Sequence, residues 1–294
     1  MANNQRLGQW ALNQAKALKL HVTRLEWIGD FFPGFTDLQV KIEIDSKVFE
    51  GRGSDLDKDV ALAKGLTEAI ERFICFSNKI TSFGVAGHYD LEKAKENAFL
   101  EFIERSLLSY HYENKIPMKK LSVKSLEVHV VEKGISTFNM RQFQMQDCGD
   151  LRGVFTLAEG LTSSPQLGGI MGASVSHDLH SAIAKSTIEC MRNVSALSQF
   201  QLSSLNIQDF EKIQNPTSED SRRLLFNPEY CQNLLDIFSA PNATSSFTFP
   251  HLKKEQMKFE ELKSSHPLLK NCPLVFVRCL DANGSSTPDV EFVG

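Results

Sequence analysis

Apolar and polar residues alternate strictly over 38–44, with Leu38, Val40, Ile42 and Ile44 set against Gln39, Lys41 and Glu43, the period-two signature of a strand with one buried face. An earlier strand is expected over 21–27, after a short amphipathic N-terminal helix. Helical periodicity takes over at about 56–77, where Leu62, Leu66, Ile70 and Phe73 form one apolar stripe. It returns at about 90–113, after a turn around 82–87. Strands are expected near 126–131 and 153–157, and a glycine-rich stretch at 168–172 leads into a third helix over about 178–200. From 206 to 271 the pattern becomes polar and broken, punctuated by Asn215-Pro216, Asn227-Pro228 and Ala240-Pro241, which predicts a peripheral helical segment. The run PLVFVRCL at 273–280 is apolar and rich in β-branched residues, so it is expected to return as a buried strand, with loop over 281–294. The pattern as a whole predicts a mixed α/β fold of the α+β class, one domain over 1–294. Its core is expected at 20–200 and 273–294, with a polar helical insertion at about 206–271.

The three long helices share a template when aligned on Ala61, Ala94 and Ala182. An aspartate stands four residues before each alanine (Asp57, Asp90, Asp178) and a glutamate seven residues after it (Glu68, Glu101, Glu189). The aspartates suit N-caps, because a short carboxylate accepts from the free amides of a first turn and meets the positive helix end. The first two copies continue alike, through Ile70-Glu71-Arg72 and Ile103-Glu104-Arg105. Residues three apart share a helix face, so Glu68 with Glu71, and Glu101 with Glu104, each present two carboxylates side by side. One such copy reads as an ordinary charged helix surface; two copies with a third in register read as a site. If the three helices pack together, five carboxylates converge.

Carboxylates at close quarters either take up protons or bind hard cations through oxygen, and Mg2+ carrying a nucleotide triphosphate is the natural occupant. No Walker-type phosphate loop and no GxGxxG is present, and Gly51-Arg52-Gly53-Ser54 reads as a tight turn in preference to a loop over ligand. The net charge of −4 and pI near 6.1 argue against nucleic acid or an anionic membrane as the main partner. The first twenty residues lack the apolar core of a secretory signal, so a cytoplasmic protein is expected. Six cysteines with no CxxC pair read as free, mostly buried thiols.

Three segments now carry a resemblance: GRGSDLDKDVALAKGLTEAIERF, SFGVAGHYDLEKAKENAFLEFIERS and GIMGASVSHDLHSAIAKSTIECMRN look like the signature segments of YcaO-like proteins, in the right order. The resemblance implies three repeated strand-turn-helix units and an ATP- and Mg2+-dependent enzyme. In that family ATP phosphorylates a peptide amide oxygen, and attack on the same carbon followed by phosphate loss gives an azoline or a thioamide. Carried over by position, it makes Glu68, Glu71, Glu101, Glu104 and Glu189 the metal ligands. Lys64, Glu68, Glu71, Arg72, Glu101, Arg105, Lys185, Glu189 and Arg192 become the nucleotide contacts, and Glu104 and Arg105 the catalytic pair. A substrate peptide, delivered by a separate peptide-recognition protein, is the implied partner, with homo-oligomer formation left open.

The sequence departs from the family where Lys64 replaces a serine, Phe83 an asparagine and Lys185 a glutamine, and where Arg192 fills the slot of Glu71 and Glu104. Lys64 and Lys185 lie four residues before Glu68 and Glu189, close enough to pair with them. Five bases (Lys64, Arg72, Arg105, Lys185, Arg192) then offset five acids, which motivates the alternative of a catalytically degenerate subunit acting as a binding or regulatory partner.

Overall fold

The computed structural model describes residues 2–26, 34–121, 138–161, 169–199, 204–213, 220, 223–224, 227–240 and 249–283. In chain order these form helix α1 (Ala2–Gln14), strands β1 (His21–Arg24), β2 (Thr36–Ile44) and β3 (Lys47–Asp55), and helix α2 (Lys58–Asn78). Strand β4 (Val85–His88), helix α3 (Leu91–Glu113) and strands β5 (Lys119–Lys120), β6 (Phe138–Gln144), β7 (Arg152–Leu161) and β8 (Gly169–Ser176) follow. The chain continues through helices α4 (Leu179–Gln199), α5 (Ile207–Phe210) and α6 (Pro228–Ser239) to strands β9 (Lys258–Leu262) and β10 (Val275–Leu280). The fold is mixed α+β with antiparallel sheets. It divides into two units, one of Met1–Phe102 with Lys254–Ser286 and one of Ile103–Lys253 with Thr287–Gly294, so α3 contributes its first half to one and its second half to the other.

In the first unit β1, β2 and β3 form an antiparallel meander, with Val22 opposite Val40 and Val40 opposite Gly51. Val40, Ile42 and Ile44 bury their face in the core with Leu66, Ile70, Phe73 and Ile74 of α2. The segment expected to be a tight turn, Gly51 to Ser54, is the second half of β3. Its glycines serve contact, not turning: a Cβ on Gly51 would stand 2.1 Å from the Gly65 carbonyl oxygen and 2.4 Å from the Ala69 nitrogen. Strand and helix backbones therefore touch directly, and the small residues on α2 (Ala61, Gly65, Ala69) are there to permit it.

The second unit repeats the plan. Strands β6, β7 and β8 run antiparallel, with β5 added at the β6 edge. Gln142, Thr156 and Gly172 stand opposite one another, and a Cβ on Gly172 would meet the Ser186 oxygen at 2.3 Å and the Cys190 nitrogen at 2.4 Å on α4. Helix α6, amphipathic and capped by Asn227, buries Tyr230, Cys231, Leu234, Leu235 and Phe238, and Phe238 stacks edge-on against Phe155 at 5.2 Å. Within the stretch expected to be helical, Lys258–Leu262 is a strand.

That strand completes a third copy. β9, β10 and β4 form an antiparallel sheet in which Phe259 faces Cys279 and the Cys279 amide bonds the Gly84 carbonyl at 2.8 Å. Gly51, Gly84 and Gly172 precede Glu68, Glu101 and Glu189 by the same number of residues. The recurring module is thus a three-stranded meander ending on the strand that precedes the glutamate helix, and in the middle copy its first two strands come from the far end of the chain.

All three aspartates cap their helices. Asp57 accepts from the amides of Asp59 (2.8 Å) and Val60 (3.4 Å), Asp90 from Lys93 (2.9 Å) and Asp178 from Ser181 (2.7 Å). Substituting Asp57→Ala is expected to destabilise the chain by about 1 kcal/mol, read as a lower urea midpoint at unchanged slope. Ala61, Ala94 and Ala182 are fully buried. None of the six cysteines is in a disulfide, and among the described residues no helix is long and apolar enough to cross a membrane. The strand expected near 126–131 and the residues beyond 283 lie outside the described residues.

Candidate functional site

The repeat places a carboxylate at the edge of β3 and of β8, the strands that precede α2 and α4. In the first unit Glu68 leans from α2 onto β3, where the Arg52 amide donates to its Oε2 at 2.8 Å. Its other oxygen, Oε1, takes the Arg72 guanidinium at 2.8 Å. One turn on, Glu71 reaches the edge of β4 and accepts from the Gly87 amide. Glu101 of α3 stands close enough for its charge to act on Glu71. Three of the five expected ligands are therefore neighbours within this unit.

Their crowding has an electrostatic consequence. Burial of the carboxyl, followed by the negative charges of Glu101 and Glu68, holds Glu71 well above the usual carboxylate range, while Arg72 and the Gly87 amide pull the other way. A group in this state takes either a proton or a cation. Among the described residues, no three His, Cys, Asp or Glu side chains are already gathered as a metal-holding group. The donor type suits a hard cation, and the strand amides fix one oxygen of Glu68 and hold Glu71.

In the second unit Glu189 repeats the Glu68 arrangement, its Oε2 accepting from the Ala173 amide at 3.2 Å. Glu104 lies 3.9 Å from Arg105, and both side chains are largely buried, 12% and 16% exposed. Arg192 is partly buried on α4.

The two lysines do not pair with the repeat glutamates. Lys64 instead bonds Asp55 Oδ2 at 2.7 Å and the Ser54 carbonyl at 3.2 Å. The reason is geometric: the Glu68 carboxylate is already turned to the β3 edge and to Arg72, while Asp55 at the end of β3 lies beside Lys64. Lys185 is exposed, with no ion-pair partner among the described residues. Phe83 is buried edge-on against Phe102 at 5.3 Å, a packing role. His177 bonds Asp150 at 2.8 Å.

Sequence reasoning missed the backbone donors at Arg52, Gly87 and Ala173, and it missed Asp55. The spacing of Gly51, Gly84 and Gly172 ahead of the glutamates would have pointed to the strands. The same register puts Asn97 in α3 where Lys64 and Lys185 stand, so one neutral polar side chain remains at that position.

No family sequence model matches the chain, and no curated protein matches it by sequence. Solved structures do match. The YcaO protein of Methanopyrus kandleri, bound with AMPPCP and Mg2+, superposes with a TM-score of 0.66 at 11% identity, over 98% of this chain and 95% of that one. A heterocyclase in complex with substrate and cofactor gives 0.59 at 10% identity, covering 97% of this chain but only 52% of the heterocyclase. The E. coli microcin synthetase McbBCD complex with pro-MccB17 bound gives 0.51 at 16% identity, over 83% of this chain and 63% of that one. The repeated meander-helix modules and these superpositions together show that the chain has a YcaO-like fold.

Proposed function

We propose that this chain is an ATP- and Mg2+-dependent enzyme that modifies peptide backbone amides, by cyclodehydration to an azoline or by thioamide formation. The observation that carries the reading is the Glu71 carboxyl, enclosed and set against the charges of Glu101 and Glu68. Glu68, Glu71 and Glu101 in the first unit, and Glu104 and Glu189 in the second, are the oxygen donors proposed for Mg2+. Lys64, Arg72, Arg105, Lys185 and Arg192 are the cations proposed for phosphate, since guanidinium and ammonium groups neutralise its oxygens. When bound, ATP supplies a phosphoryl group that converts an amide oxygen into a leaving group. The chain's own part is to orient that oxygen and offset developing charge, for which the nearly enclosed Glu104 and Arg105 are the proposed catalytic pair. The M. kandleri protein's AMPPCP and Mg2+, and the pro-MccB17 in the microcin synthetase complex, support a nucleotide and a peptide as ligands. A separate protein presenting the peptide, and a cytoplasmic setting, complete the proposal.

Calorimetry with Mg2+ and ATP tests it, together with phosphate release in the presence of a candidate peptide and its partner. Glu68→Gln or Glu101→Gln is expected to weaken nucleotide binding by about 100-fold or more, since losing even an outer partner of a metal ligand costs 10–100-fold. A second reading, a non-catalytic subunit of the same fold, is favoured by the Arg72–Glu68 pair and by carboxylates that are not yet gathered. Absence of Mg2+·ATP binding in the unmodified chain selects it.

A further inference from the structure

The three copies can be compared at the residue two places before each helix cap. In the first copy this is Asp55, whose Oδ1 accepts from the Asp57 amide at 3.1 Å. In the second it is His88, whose Nδ1 accepts from the Asp90 amide at 3.0 Å. In the third it is Ser176. The paired positions on the helices are Lys64, Asn97 and Lys185. An acid therefore faces a lysine in the first copy alone, and there the two meet at 2.7 Å, with Lys64 also on the Ser54 carbonyl. The carboxyl of Asp55 is opposed by burial, yet it is held below the usual range by the Lys64 hydrogen bond and the Asp57 amide. In the third copy Ser176 cannot form an ion pair, and Lys185 stands exposed with no ion-pair partner among the described residues.

We propose that Asp55 sets the anion affinity of the first repeat helix, holding the Lys64 ammonium on the edge of β3 and withdrawing it from a polyphosphate, whereas Lys185 is left available to one. This rests on the nucleotide reading above and adds a residue and an asymmetry to it. The Lys64–Asp55 pair is partly exposed, 53% and 30%, so it is the kind of ion pair that a single charge removal undoes at small cost. The anion it competes with is a chain of phosphate oxygens, whether of ATP or of inorganic triphosphate.

The test uses the full chain, Asp55→Asn, and the double variant Asp55→Asn with Lys64→Gln. Amine acetylation read by mass spectrometry is expected to label Lys185 faster than Lys64 in the parent, with the gap closing in Asp55→Asn. Calorimetry with inorganic triphosphate is expected to show Asp55→Asn binding roughly two- to five-fold tighter, and the double variant losing that gain. Equal labelling of the two lysines in the parent overturns the proposal. So does an affinity gain that is absent, or that survives Lys64→Gln, or a failure of both the parent and Asp55→Asn to bind triphosphate. If the triphosphate results hold while Mg2+·ATP binds no form of the chain, the nucleotide reading falls and the role of Asp55 stands.

Discussion

Glu71→Gln is expected to make the ligand-free chain more stable at neutral pH and, at the same time, to remove its response to Mg2+·ATP. The native Glu71 carboxyl prefers its proton because it is buried and faces Glu101 and Glu68. Its affinity for a proton is higher folded than unfolded, so the folded state gains stability from it at acid pH. That gain is complete below the unfolded value of about 4.5 and is lost as the pH rises through the raised folded value. Glutamine keeps the acceptor for the Gly87 amide and drops the charge. The variant should match the parent near pH 4 and exceed it increasingly above, by about 1–2 kcal/mol at neutral pH, as for other relieved charge conflicts. Urea unfolding from pH 4 to 8 reads this directly, and a variant no more stable than the parent at pH 8 removes the premise of a crowded carboxyl. Adding Mg2+ with ATP should raise the melting temperature of the parent and leave the variant unmoved, since a ligand stabilises only the form that binds it.

Gly51→Ala and Gly172→Ala should each be more damaging than any cap or surface change in this chain. A methyl at either place meets backbone oxygen and nitrogen within 2.4 Å, and backbone atoms of a helix cannot swing aside as a side-chain tip does. The helix must lift from its strand, which opens the apolar contacts of Val40 with α2 in one unit and those of Val154 with Ala182 and Ile183 in the other. The expected cost is on the order of 3 kcal/mol or more, a loss visible in thermal unfolding and in soluble yield. The lift also pulls Glu68 from the Arg52 amide, or Glu189 from the Ala173 amide, so any folded fraction of either variant should show weakened nucleotide binding. Alanine tolerated at Gly51 with native stability and native binding would contradict the direct strand-helix contact.

These three variants probe features that differ in how far the sequence discloses them. The aspartate, alanine and glutamate register was legible because helix periodicity is local: caps, buried alanines and acids recur at fixed offsets wherever the same helix is built, and each aspartate does cap its helix. The strand β2 was legible for the same reason, through alternation. The glycines of β3 look like a turn in the local pattern, because their purpose is contact with a helix that lies later in the chain. Strand β9 was missed because KFEEL is charged and mostly exposed, and pairing with β10 alone makes it a strand.

Sequence by itself thus determined the three helices, their caps, the acids they carry and the mixed fold, since these follow from short-range spacing. Tertiary structure decided which groups those acids meet. Glu68 and Glu189 are held by amides of strands that precede their own helices, Glu71 by an amide beyond the next turn, and Lys64 by Asp55 in place of Glu68. The middle module is completed by β9 and β10 from the opposite end of the chain. A backbone amide has no side-chain signature, and a contact between distant segments has no fixed spacing, so neither is written in the local pattern.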